Sequence, residues 1–515
     1  QNRGGSMAYK LFAAIHVGSE EVKMKIYELS KNDKLREIEQ MSYFIELGSD
    51  TYSTGEISHE AVRELCDVLS GFKLKMKEYK ITDYVALASS ALREAANADL
   101  IIDQIRIKTG LHVQTIGNAK QSMLVLRSIA LNMDNFRKII SEGAAIVNMG
   151  AGSLQIMVYQ NSHLTFTQNL KLGSLRIREI LADVEGYSEK FVNVMDDYIG
   201  NDVDTFGRLY MKDQKVRHLV IAGNEMSAFI KMSGTGKNMI KRGVFDELKK
   251  MVLNMEPEAI SDQYSIPYEL ATLLQPASIV YDKIIRITGA DRIWPAGSDL
   301  CDGMVMEQTI SSSRIREIHD FDEDIIYYSR LVAKRFNSNI SHTSNVEKLA
   351  LKIFDGMKKE TGMSERDRLL LRSACILHDC GKFLNMRNST AYSCEIIMAT
   401  EFIGLSRRDR SIIGQAVYCN SLNQVPKQQT LRYPLSNEDY ICMLKICAIL
   451  RIANQMDRSH KQKIENITVT LKNKELVIRA DSLYDITLEQ STIEARSYFF
   501  AQIFGYKPVL KMKRR

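Results

Sequence analysis

The order of hydrophobic and polar positions divides the chain in two. From Tyr9 to about residue 300, short apolar runs of period two alternate with segments whose apolar positions recur every three or four residues. Tyr9 to Gly18 reads as a strand that turns at Gly18-Ser19, with Val22 to Leu29 as the returning arm of a hairpin. Ser58 to Lys77 places Ala61, Leu65, Val68, Leu69 and Phe72 at helical spacing, with Ser58 at its start. Tyr84 to Ala88 reads as a short buried strand that enters a helix over Ser89 to Ala95. Ala144 to Val147 is another, and it runs into Asn148-Met149-Gly150-Ala151-Gly152-Ser153. This alternation predicts an α/β architecture. Beyond Ser311 the pattern changes, and residues 320 to 460 read as successive amphipathic helices with almost no proline. Alternation returns from Ile464 to Leu488, with Lys472-Asn473-Lys474 as a hairpin turn. A helix over Thr492 to Phe504 and a basic end, Lys511 to Arg515, follow.

Length and composition narrow the class. The 515 residues have room for about three or four domains, each with its own core, and 45% hydrophobic with 26% charged residues is ordinary for globular chains. No apolar run approaches the ~20 residues that cross a bilayer, and no signal peptide is read. Gln1 to Ser6 precede the first plausible start, Met7, and read as an expression remnant. Six of the eight cysteines lie between Cys375 and Cys447, none in a CxxC spacing, which points to reduced, buried thiols and a cytoplasmic protein. A net charge of +6 and a pI near 8.7 suit an anionic ligand. The balance of 69 basic against 63 acidic residues gives no specific nucleic-acid surface.

The candidate chemistry sits in the turns. A strand running into Gly150-Ala151-Gly152-Ser153 is a common way to offer backbone N–H groups to a phosphate, because glycine lets the chain come close. Such a loop handling Mg²⁺ would begin with Asp, a hard and charged oxygen ligand; here the residue is Asn148. The first loop, Ala13 to Ser19, ends in a second strand–glycine turn, although a plain hairpin turn is the simpler reading of Gly18-Ser19 alone. Ser89, Ser90 and Arg93, at a strand end, suggest a helix-terminal anion site. The glycine turns lie roughly 130 residues apart in similar contexts, as in two related subdomains facing each other across a cleft.

Four motifs together resemble the exopolyphosphatase and guanosine pentaphosphate phosphatase (Ppx/GppA) family of the actin-like superfamily: Ala14 to Ser19, Ala88-Ser89-Ser90-Ala91-Leu92-Arg93-Glu94-Ala95, Asn148 to Ser153, and Leu170 to Arg176. Ile376 to Phe383 and Leu450 to His460 resemble the HD-type helical region of its longer members. The resemblance implies two actin-like subdomains, 7–134 and 135–311, around a cleft. An all-helical HD-like domain, 312–460, and a small α+β piece, 461–515, would follow. It also implies a site made of His16, Gly18, Ser19, Ser90, Arg93, Asn148, Gly150, Ala151, Gly152, Ser153 and Gln155, with Gln121 at the position of the general base. Where the family has carboxylates, this chain has His16, Gln121, Asn148 and Gln155. A glutamine takes no proton from water, and the loss of a positioned base costs ~10²–10⁴-fold in rate. Amides are also weak Mg²⁺ ligands, so the Mg²⁺ of active members is expected to bind weakly here or not at all. The HD-type region keeps His342, His378 and Asp379 as candidate metal ligands, with Asn454 where a further Asp is expected and Tyr392 where members carry a histidine. A structural hydrogen-bonded pair of His378 and Asp379 is the other reading.

Three functions remain open on these grounds. The first is binding of polyphosphate or a phosphorylated guanosine nucleotide in the cleft, with weak or no hydrolysis, by a homodimer joined through the helical half. The second is an active phosphohydrolase that releases terminal phosphate with relocated acids, Glu20, Glu21 or Glu94. The third is a partner-binding module with a vestigial cleft.

Overall fold

The computed structural model describes residues 10–30, 35–185, 191–212, 214–236 and 239–512. Residues 1–6, read as an expression remnant, and the last three of the basic end lie outside the described residues. The chain forms two compact units, Gln1–Asp320 and Phe321–Arg515.

The first unit holds two sheets built on one plan. The strands of the first are β1 (Lys10–Val17), β2 (Glu21–Leu29), β3 (Leu35–Phe44), β4 (Tyr84–Ala88) and β5 (Gln114–Thr115), in the order β3-β2-β1-β4-β5. The second contains β6 (Ala144–Met149), β7 (Leu154–Gln160), β8 (His163–Leu170), β9 (His218–Ala222), β10 (Ile240–Lys241) and β11 (Arg292–Pro295), in the order β10-β11-β9-β6-β7-β8. In each sheet the opening strand has an antiparallel meander on one side and parallel crossover strands on the other. That is the twofold actin-like arrangement. The crossover from β3 to β4 includes the helix His59–Glu78, whose N-cap Ser58 accepts from the Ala61 amide. Its face of Val62, Leu65, Leu69 and Phe72 packs into the core with Ile15, Val17 and Met24. In such sheets ligands gather at the carboxyl ends of the parallel strands, and here both central strands, β1 and β6, end at their glycine turns.

The second unit is mainly helical. Helices Phe321–Arg335, Ile340–Gly356, Glu365–Leu377, Arg407–Cys419 and Asn437–Gln455 contribute to one apolar core. Capping boxes of Ser364 with Asp367 and Ser406 with Asp409 start two of them. A three-stranded sheet of β12 (Asn466–Lys472), β13 (Glu475–Asp481) and β14 (Lys507–Met512) follows, ordered β12-β13-β14. The helix Thr487–Phe504 starts five residues before the predicted Thr492 and delivers β14 parallel to β13.

Candidate functional site

The carboxyl ends of β1, β4, β6, β9 and β11 open onto a cavity of about 540 Å³ inside the first unit. Gly18 and Gly150 both border it, so the two glycine turns face one space. His16, Ser19, Ser90, Gln121, Asn148, Ala151 and Ser153 border it as well, whereas Arg93, Gly152 and Gln155 lie behind the wall.

The turns use their amides differently from the expectation. The Gly18 N–H donates to the Glu21 carbonyl at 2.9 Å, and the Gly150 N–H donates to the Ser153 carbonyl at 3.0 Å. Both amides close hairpin turns and are not offered to a ligand, which corrects that part of the reading. Behind them Ser19 Oγ accepts from Tyr52 Oη at 2.8 Å and from the Ala91 amide at 3.1 Å, and lies 2.8 Å from Ser90 Oγ. Gly152 fits because a Cβ there would collide with Tyr52 Oη and Ser90 Oγ.

Of the four positions where the resemblance implies carboxylates, 16, 148 and 155 make neutral contacts. His16 Nε2 hydrogen-bonds Ser89 Oγ at 3.0 Å, and burial lowers its pKa to about 4, so the ring is neutral at pH 7. Asn148 Nδ2 donates to Gln155 Oε1 at 3.3 Å, and Ser122 Oγ donates to the same oxygen at 2.7 Å. Among the described residues, Gln121, in the first turn of the helix Asn118–Asn132, has a buried Oε1 without a partner, and Gln155 has an Nε2 without one.

Arg93 is a second correction. Its Nη1 donates to the Ile116 carbonyl at 2.7 Å, so the guanidinium braces the chain after β5 and does not reach the cavity. The buried arginine at the loop is Arg176. It donates from Nε to the Gly152 carbonyl at 2.7 Å, pairs with Glu94 at 2.8 Å, and lies 3.9 Å above the Tyr52 ring. That pairing also keeps Glu94, one of the candidate relocated acids, out of the cavity lining.

Several cavity groups escaped the sequence reading. Lys23 and Lys25 project from β2 into the wall, 6% exposed each. Lys23 pairs with Glu21 at 2.6 Å, and Lys25 with Asp299 at 3.1 Å. Burial works against both ammonium groups, but the facing carboxylates outweigh it and raise both above their ordinary values. Burial likewise opposes ionisation of Asp299, yet Lys23 and Lys25 hold its carboxyl at about 2. Glu225 borders the cavity too. The legible sign was Lys23-Met24-Lys25, two cations on one face of a strand whose other face is core. Glu225 and Asp299 carry no comparable local mark.

The donor set at positions 16, 121, 148 and 155 does not fit the Mg²⁺ that the resemblance implies, since its amides bond each other and its imidazole bonds a serine. Among the described residues no three His, Cys, Asp or Glu side chains are placed to hold a metal ion. In the helical unit the candidate ligands are His342, His378 and Asp379. They do come close, but Asp379 is paired with Lys382 at 2.6 Å, and His342 Nδ1 donates to Asp457 Oδ2 at 2.8 Å. His378 Nδ1 donates to the Cys375 carbonyl at 2.7 Å, and the Nε2 atoms of the two histidines lie 3.3 Å apart. The carboxylate partner of His342 is therefore Asp457, three residues beyond Asn454, and a lysine ammonium occupies the place beside Asp379.

The paired sheets and the turn-lined cavity between them define a two-lobed, actin-like scaffold. The chain belongs to the Ppx/GppA phosphatase family: the family description matches residues 29–309, and that of Ppx/GppA phosphatase domain III matches residues 329–496. It is similar to the guanosine-5'-triphosphate,3'-diphosphate pyrophosphatase of Photobacterium profundum, 20% identical over 425 residues, 82% of this chain and 83% of that protein. The protein of the same name from Aliivibrio fischeri ES114 is 18% identical over 509 residues, 94% of this chain and 95% of its own. Among solved structures, an exopolyphosphatase from Cytophaga hutchinsonii shares the fold with a TM-score of 0.53 at 16% identity, covering 58% of this chain and 98% of that one.

Proposed function

We propose that the protein holds a phosphorylated ligand in the cavity of its first unit and hydrolyses it weakly or not at all. The relatives are named for guanosine-5'-triphosphate,3'-diphosphate, a pentaphosphate, and for polyphosphate, and these are the ligands we assign here. The observation that carries the weak-hydrolysis reading is Gln121, an amide with a buried, unpartnered Oε1 where the family resemblance places the base. The Asn148–Gln155 pair next to it has no carboxylate to draw a proton from water. The expected cost is ~10²–10⁴-fold in rate. The test is phosphate release from guanosine pentaphosphate and from polyphosphate with Mg²⁺ and Mn²⁺, run beside calorimetric binding of both without metal. Binding without release supports the reading.

Glu20 and Glu21 favour a second reading, because both border the same cavity. On that reading relocated acids hydrolyse the ligand, and release at the rate of ordinary family members would establish it. Absence of binding would leave the partner-binding module. We further place the protein in the cytoplasm as a homodimer. All eight cysteines are free thiols, which supports a reducing compartment, and the mass in solution tests the dimer.

A further inference from the structure

Glu20 follows the first glycine turn, between β1 and β2, and Glu225 stands in the first turn of the helix Asn224–Ser233 after β9. They come from opposite lobes, and both border the cavity. They are also among the most deeply buried acids of the unit, 4% and 1% exposed. Glu225 accepts a hydrogen bond from the Ser174 hydroxyl, while Glu20 Oε1 meets no partner among the described residues. Tyr281, 0% exposed on the helix Tyr268–Thr288, also has a hydroxyl without a partner among the described residues. Burial, then the charges of Glu225 and Glu20, oppose ionisation of that phenol, so it lies within electrostatic reach of the two acids. Buried polar atoms are rarely left unpaired, and Glu20 Oε1 is one that belongs to a residue bordering the cavity.

We propose that Glu20 and Glu225 act as one proton-holding pair, and that Glu20 donates the shared proton in a hydrogen bond to a phosphoryl oxygen of the ligand in the cleft. This rests on the phosphorylated-ligand reading above. Asn224 and Glu21, the chain neighbours of Glu225 and Glu20, are hydrogen-bonded at 3.0 Å, and two buried carboxylates brought that near oppose each other's ionisation. The charges facing Glu20 agree. Burial first, then Glu225, Glu21 and Glu46, raise its pKa well above the ordinary value, and only Lys23 opposes them. Lys23 is engaged by Glu21 and Asp299, and Glu46 by Arg178. Burial likewise raises Glu225, against the Ser174 hydrogen bond. A neutral carboxyl is a strong donor to an anionic oxygen and adds no repulsion to a ligand that already carries several charges.

The other cavity groups make the proposal separable by pH. His16 is neutral above about 4, Asp299 is ionised above about 2, and both lysines stay charged well past neutrality. The experiment is calorimetric binding of tripolyphosphate and of guanosine pentaphosphate, without metal, at about pH 7 and about pH 9, for the unmodified chain, Glu20→Gln and Glu20→Ala. As pH rises through the raised pKa the pair becomes doubly charged and its donor is lost. The unmodified chain should then lose about tenfold in affinity beyond any change in Glu20→Gln, whose amide donates at every pH. Glu20→Ala should bind weakly at both pH values, with thermal melting as the check that it folds. Equal pH slopes for the unmodified chain and Glu20→Gln, with binding intact, would overturn the pair but leave the ligand reading standing. No binding by any form would overturn both. The infrared band of a protonated carboxyl at about pH 8, removed by Glu20→Gln with Glu225→Gln, reads the pair without a ligand, and its absence in the unmodified chain would also overturn the proposal.

Discussion

His16 shows how one residue sets both the chemistry and the pH response of the cleft. Its folded pKa of about 4 lies below the ordinary value of 6.5, so between these values the unfolded chain binds more protons than the folded one. Stability therefore rises with pH through that window and falls on acidification. Between about pH 7 and 5 the loss should be about 2 kcal/mol from this group, and His16→Gln should flatten that part of the slope in denaturant melts. Arg176 makes the opposite contribution. Its guanidinium satisfies the Gly152 carbonyl, Glu94 and the Tyr52 face together, so Arg176→Ala should cost about 3–5 kcal/mol, the range for breaking a buried pair, read as a lower unfolding midpoint. Arg93→Ala should leave ligand affinity within about twofold, because its guanidinium is spent on the Ile116 carbonyl. The identity of these residues was legible in the sequence, but their direction was not. Ile116 is 23 positions from Arg93, and nothing local announces which carbonyl a long side chain will reach.

At the scale of elements, turns and caps were the legible parts. Ser58 caps its helix as read, Tyr84–Ala88 is the strand the apolar run indicated, and the terminal hairpin turns where Asn473-Lys474 predicted. Leu35–Phe44 was missed because it is a sheet edge, where Glu37, Gln40 and Ser42 interrupt the apolar alternation that marks a half-buried strand. β14 was missed for a related reason: Lys507, Lys511 and Met512 are exposed, and only Leu510 and Pro508 are buried. The Asn473-Lys474 turn carries a test of its own. Both residues take left-handed backbone, φ 50° and 61°, which costs a side chain about 1 kcal/mol and glycine little. Lys474→Gly should raise the stability of the helical unit by up to about 1 kcal/mol, seen as a higher denaturant midpoint, unless the freedom that glycine adds to the unfolded chain offsets it.

At the scale of the whole molecule, the cleft of the first unit is lined by His16, Gln121 and Asn148 where the resemblance implies carboxylates. No described helix is long and apolar enough to cross a membrane. Sequence motifs gave the two-lobed architecture because glycine turns and strand ends are local signals. The composition of the cavity wall was not legible, since Lys23, Glu225 and Asp299 meet only after three separate crossovers bring their elements together. If ligand charge drives binding, affinity for tripolyphosphate should fall as salt rises, because added ions screen the contacts that reach solvent. The central claim is that the cleft binds without turning over because the acids at positions 16, 121 and 148 are gone. The most direct measurement is phosphate release from guanosine pentaphosphate with Mg²⁺, comparing the unmodified chain with His16→Asp, Gln121→Glu and Asn148→Asp combined. The account predicts release at least ~10²-fold faster from the triple variant, with the unmodified chain near background. Equal and rapid release by both would contradict it.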